Sequence, residues 1–304
     1  MNIEKLTQGG FSIGVELPLD NDWSTSGEAN RKRDGRPFGV PDMQHHAELI
    51  KQADGLGFRA AWVRDVPLYD PNFGDAAQIF ETFTYLGYLA SHTQNILLGT
   101  AAVVLPLRNP WLVRKAAATV QTLSHERLLL GVASGDRPSE YPIFGVDYHS
   151  RGERFRQAVE ILRAIQDSKL VSGMKVLPEA PLPPLLVAGL AQQSPTWVGK
   201  HMQGWLAYPG TPNDHINRVA LWREVAGDKP YVSFIHLDLE ANPDAPIKRH
   251  RFGVSTGVNG LIQELESMKA AGVDHIGLHF RRNQQPLNET LEQIGESVLP
   301  KFHT

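Results

Sequence analysis

Eight short, nearly uninterrupted apolar runs recur along this 304-residue chain, each followed by an amphipathic stretch, and that alternation leaves few folds open. The runs are FSIGVEL (11–17), AAWVRDV (60–66), NILLGTAAVVL (95–105), RLLLGVA (127–133), PLLVAGL (184–190), GWLAY (204–208), YVSFIHLDL (231–239) and DHIGLHF (274–280). A strand that is apolar on both faces needs cover on both, which a parallel sheet wrapped in helices supplies. Eight such pairs predict a single (β/α)8 TIM barrel with insertions, one domain over residues 1–304. A doubly wound sheet would place a Gly-x-Gly-x-x-Gly turn after the first strand, and residues 14–25 read GVELPLDNDWST instead.

Caps and periodicity place the helices. Ser150 with Glu153 reads as a capping box ahead of FRQAVEILRAI, in which Phe155, Val159 and Leu162 share a face. Ser194-Pro195 and Thr211-Pro212 each set a capping hydroxyl before a first-turn proline. Further helices are expected over about 43–55, 75–91, 111–123, 258–271 and 287–298. Two long connections, 18–42 and 168–183, remain; the first follows a strand end and is expected to be a substrate lid or a surface loop.

The chain has no cysteine, which removes disulfides, thiolate metal sites and cysteine nucleophiles together. A net charge of -3 argues against a nucleic-acid partner. Neither a signal peptide nor a membrane span is predicted, because no apolar run is long enough, and a cytoplasmic location is expected.

Reactive groups of a barrel follow its strands, so four strand ends stand out. They are Arg64-Asp65-Val66-Pro67, Pro106-Leu107-Arg108-Asn109, Ser134-Gly135-Asp136-Arg137 and the stretch Gly189-Leu190-Ala191-Gln192-Gln193-Ser194. The last leads into a helix whose first N–H groups could bind an anion, or Ser194 could simply cap it. Ser134 to Arg137 reads either as an anion-binding turn or as a tight turn with an exposed ion pair. Asp65 or Asp136 could accept a proton or orient a cation, and Arg64, Arg108 or Arg137 could bind an anionic group; all could equally be rim ion pairs. Among the histidines, His275 and His279 share one strand face, as do His236 and Asp238. A metal site would need ligands from several strand ends and the first strand offers only Glu16, so no metal is expected. His45 and His46 point to different sides of a helix.

Residues 99–138, GTAAVVLPLRNPWLVRKAAATVQTLSHERLLLGVASGDRP, resemble the bacterial luciferase-like monooxygenases. The same resemblance takes in GLGFRAAWVRD (55–65), Phe144-Gly145 with Arg151, AGLAQQSPTWVGKHMQGWLAYP (188–209) and AAGVDHIGLHF (270–280). It implies an FMN-binding dimeric barrel that uses reduced flavin and O2 on a small organic substrate, fed by a separate flavin reductase. It further implies a non-proline cis peptide at Ala101-Ala102 beside the flavin ring. The phosphate would lie against Gly189, Leu190, Ala191, Gln193 and Ser194, and against Ser134, Gly135, Asp136 and Arg137. The chain departs from the luciferases where Ser134 replaces an arginine, Glu126 a turn glycine and Val66 a histidine; Asp65, Arg64 and Arg108 are the candidate catalytic residues. A deazaflavin-dependent hydride-transfer enzyme and a non-catalytic flavin-binding protein are the alternatives. Trp23, Tyr69, Phe73 and Tyr141 suit an organic ligand.

Overall fold

A computed structural model describes residues 2–73, 79–163 and 170–303. The expected helix over 75–91 and connection 168–183 each fall partly outside them. Strands β1 (Ser12–Glu16), β2 (Ala60–Val63), β3 (Leu97–Thr100), β4 (Val103–Val104), β5 (Leu128–Ala133), β6 (Leu185–Ala188) and β7 (Gly204–Leu206) come first. They are followed by β8 (Tyr231–Leu239), β9 (Lys248–His250), β10 (Gly253–Thr256) and β11 (His275–His279). Parallel pairing runs β11-β1-β2-β3-β5-β6-β7-β8, and β8 pairs back to β11, so the sheet closes into an eight-stranded barrel. All eight apolar runs supply barrel strands. β4 continues the third run and pairs with β5, while β9 and β10 form a hairpin laid on the upper half of β8.

Helices α1 (Asn2–Leu6), α2 (Thr25–Arg33), α3 (His46–Leu56), α4 (Thr82–His92), α5 (Pro110–Leu123) and α6 (Arg151–Leu162) precede α7 (Pro195–His201) and α8 (Pro212–Ala226). Next come α9 (Val258–Ala270), α10 (Leu287–Ser297) and α11 (Leu299–Phe302). Their starts follow local chemistry. Asn109 accepts from the N–H groups of Trp111 and Leu112 ahead of Pro110, and Thr211 forms a reciprocal capping box with Asp214. The box expected at Ser150 does not form. Asp147 instead caps a short 3-10 turn, Tyr148–Ser150, that runs directly into α6, and Ser150 turns its hydroxyl back to the Asp147 carbonyl.

The connection 18–42 is neither a free lid nor a plain loop. It carries α2, capped by Ser24, and is pinned by two ion pairs, Asp20 with the fully buried Arg281 at 2.9 Å and Asp22 with Arg36.

Inside the barrel, Trp62, Leu97, Leu129, Leu186, Val232 and Phe234 pack together, and Leu6 from α1 closes the N-terminal end over them. Gly99 makes room for Trp62, since a Cβ there would lie 2.3 Å from the indole Cε3. The indole Nε1 donates to His275 Nε2 at 2.9 Å. That nitrogen therefore carries no proton, so Nδ1–H donates to Ser12 Oγ at 2.7 Å, and Ser12 donates onward to the Leu6 carbonyl. Burial holds His275 far below the ordinary imidazole range.

Candidate active site

At the C-terminal mouth lies a cleft of about 430 Å³. Ala101, Ala102, Val104, Ala133, Ser134, Gly135, Ala188 and Gly189 form one side of its lining, and Arg64, Asp65, Asp136, Arg137, Glu140 and Arg151 bring charge to it. The Ala101–Ala102 peptide is cis, as the resemblance implied. Gly135 is left-handed (φ 80°), and a Cβ there would meet the Tyr141 hydroxyl at 2.5 Å and Val104 Cγ1 at 2.7 Å. Residues 189, 191 and 192 are also left-handed, so the turn after β6 doubles back along the cleft wall before α7 begins.

Eleven of the expected site residues line this cleft: Arg64, Asp65, Ala101, Ala102, Ser134, Gly135, Asp136, Arg137, Gly189, Leu190 and Ala191. Arg108, Gln193 and Ser194 are not among its lining residues. Ser194 Oγ accepts from the Trp197 N–H at 3.2 Å, which is the plain cap. Gln193 is a tie: its amide donates to the Gly152 carbonyl at 2.8 Å and accepts from Arg156 at 2.9 Å. Arg108 grips Asp65 with two bonds, whose carboxylate also accepts from the Val104 N–H at 2.9 Å and the Thr82 hydroxyl at 2.9 Å. Four donors on one buried carboxylate make Asp65 an organiser of the rim, which is the ion-pair alternative for these two residues.

Residues not singled out from the sequence as site residues contribute as much. Glu140 is 3% exposed, and its Oε1 has no hydrogen-bond partner among the described residues, with Arg137 Nη1 at 4.0 Å. Burial pushes its carboxyl above the ordinary range, opposed by the Arg137 charge. Arg151 lays its guanidinium 3.8 Å over the Tyr148 ring, and Arg137 sits 4.1 Å over Phe73. Glu16, raised in the sequence only as an insufficient metal ligand, lines the cleft and accepts from Arg64 Nε at 2.6 Å. The barrel also sets Glu16 beside His236 and His279, residues that the sequence places more than two hundred positions away.

The family described as luciferase-like monooxygenase matches residues 14–231. The chain is 31% identical over 223 residues to the phthiodiolone/phenolphthiodiolone dimycocerosates ketoreductase of Mycobacterium sp. (strain JLS), covering 66% of this chain and 56% of that protein. In fold it is similar to the monooxygenase RslO1 from Streptomyces bottropensis, with a TM-score of 0.73 at 19% identity, covering 96% of this chain and 100% of the other. It is also similar to an F420-dependent secondary alcohol dehydrogenase in complex with an F420-acetone adduct, with a TM-score of 0.70 at 19% identity, covering 97% and 100% of the two chains.

Proposed function

The chain belongs to the luciferase-like monooxygenase family, and from that footing we propose that it is an FMN-dependent monooxygenase, using reduced FMN and O2 to oxygenate a small organic substrate. The observation that carries this reading is the cleft itself. Its small-residue wall suits a flat ring, its arginines suit an anionic tail, and the buried Glu140 Oε1 lacks the donor that a ring N–H would supply. A bound reduced flavin supplies the two electrons that O2 chemistry requires.

In this reading Ala101 and Ala102 bear on the ring, and Ser134, Gly135, Arg151 and the turn at 189–192 take the phosphate. Glu140, whose carboxyl burial pushes above the ordinary range, gives or takes a proton in the cleft, and Arg64 holds Glu16 in place in its lining. Asp65 and Arg108 position the β2 and β4 ends without touching the reacting atoms. Asp136 accepts from the Tyr208 hydroxyl at 3.3 Å and shapes the substrate side of the rim. We further propose that residues 1–304 act as one domain, as a homodimer in the cytoplasm, with reduced flavin delivered by a separate reductase.

A second reading, deazaflavin-dependent hydride transfer, is favoured by the likeness to a structure that holds an F420 adduct. Titration of the purified protein with reduced FMN and with reduced deazaflavin, followed by O2 consumption with each, separates the two. Tight binding of reduced FMN with substrate-dependent O2 uptake is expected. Binding of the deazaflavin alone would replace the first reading by the second, and binding of neither would remove both.

A further inference from the structure

We infer that Glu16, His236 and His279 form a binding site for one borderline divalent transition-metal ion of the Zn2+ class, beneath the floor of the cleft. Glu16 and His279 end barrel strands β1 and β11, His236 stands opposite His279 on the neighbouring β8, and their ligand atoms all lie within 4.8 Å of one another. All three are buried, at 3%, 7% and 1% exposure. Two imidazoles and one carboxylate make a donor set that nitrogen-preferring divalent ions take, with coordination positions left over.

His279 is the second, independent observation. Both of its ring nitrogens are buried without a hydrogen-bond partner among the described residues. A neutral imidazole in that condition has lost its water and received nothing in exchange. A metal ion would satisfy one nitrogen and needs no cavity larger than the gap between the ligands. Arg64, Arg281 and Arg282 lie near enough to His279 to act on it electrostatically. The rings of His236 and His279 stack with centroids 4.2 Å apart, and the Trp23 ring lies 6.5 Å and 6.0 Å away, so one aromatic group packs over the cluster, and ligation of one ion by both rings would turn them out of their stack.

The same arginines decide which ion is taken. Arg281 is paired with Asp20 and Arg64 with Glu16, which leaves the charge of Arg282 uncompensated by those pairs. A site so poor in negative charge rejects Mg2+ and Ca2+, which bind oxygen donors by charge, and retains ions whose bonds to imidazole nitrogen carry the affinity.

The test uses the full chain, untagged, stripped with a chelator and kept free of any cofactor, so its outcome is independent of the proposed oxygenation. Titration with Co2+ should raise visible d–d absorption that saturates at one equivalent, is abolished by Zn2+ and is untouched by excess Mg2+. Glu16→Gln, which keeps the side-chain shape, and His279→Ala should each weaken Co2+ binding at least tenfold, and His45→Ala should leave it unchanged. Near-UV circular dichroism reports whether each variant is folded, and Glu16→Gln decides the matter if His279→Ala is not. No saturable band, equal competition by Mg2+, or unaltered binding in folded Glu16→Gln overturns the site.

Discussion

Arg108 closes on Asp65 from the side with two bonds, Nε to Oδ2 at 3.1 Å and Nη2 to Oδ1 at 2.7 Å, and thereby ties the end of β2 to the turn after β4. Its third anchor is Glu81 at 2.9 Å, the residue that caps α4. The carboxylate is buried while the guanidinium is partly exposed, so the pair is screened on one side only. Asp65→Asn keeps the shape but leaves a partly buried cation short of its partner. It is expected to lower stability by about 2–3 kcal/mol, measured as a shift of the urea midpoint at unchanged m.

The small wall of the cleft carries the second expectation. Ala102→Leu puts three more carbons where Ala101 and Ala102, half-buried against the interior cluster, line the cavity. Reduced-FMN affinity should fall at least about tenfold, or about 1.4 kcal/mol, while the melting temperature moves little. Equal affinity for both proteins in an equilibrium titration would place the ring elsewhere.

Glu140 supplies a pH signature. Its folded carboxyl titrates above the unfolded value, so the folded state is favoured while the group is protonated and loses that advantage as pH rises through the folded value. Glu140→Gln should therefore be more stable than the parent at neutral pH and match it in acid. Chemical denaturation at several pH values reads the crossover, and a variant less stable at pH 7 refutes the assignment.

Acid stability rests on two other residues. Burial lowers both His215 and His303 to about 4, the first bonded to the Tyr231 hydroxyl at 2.9 Å, the second accepting from the Ile13 N–H at 2.8 Å. Both are neutral in the fold and must charge on unfolding. Their stabilisation is complete above the unfolded value near 6.5 and is lost as pH falls toward 4, on the order of 1–3 kcal/mol each after allowance for partial exposure. His303→Asn should flatten that part of the pH–stability curve, and a curve as steep as the parent's would assign the acid transition to other groups.

The barrel was legible because covered strands must be apolar on both faces, and all eight runs carry that mark. The β9–β10 hairpin was not, since KRH is exposed or half-buried and GVST buries only Val254 and Thr256, so neither is apolar on both faces. Arg64, Asp65, Ser134 and Arg137, singled out at strand ends, line the cleft because the parallel barrel sends every strand end to one mouth. Sequence order could not say which groups of the turn before α7 face inward. The left-handed residues 191 and 192 rotate that turn, so the backbone near Ala191 meets the cleft while Gln193 and Ser194 bond elsewhere. Glu140 lies in an irregular segment with no periodicity to read, and its burial comes from tertiary packing.

Leu6 and the hydrogen-bond relay from Trp62 through His275 and Ser12 shut the far end of the barrel. Whatever occupies the cleft above that packed interior must then enter and depart on the mouth side, and a molecule already seated deepest cannot leave past one lodged above it. Traffic at such a doorway is sequential: the deepest ligand arrives first and departs last, and the shallower one inhibits its release when in excess.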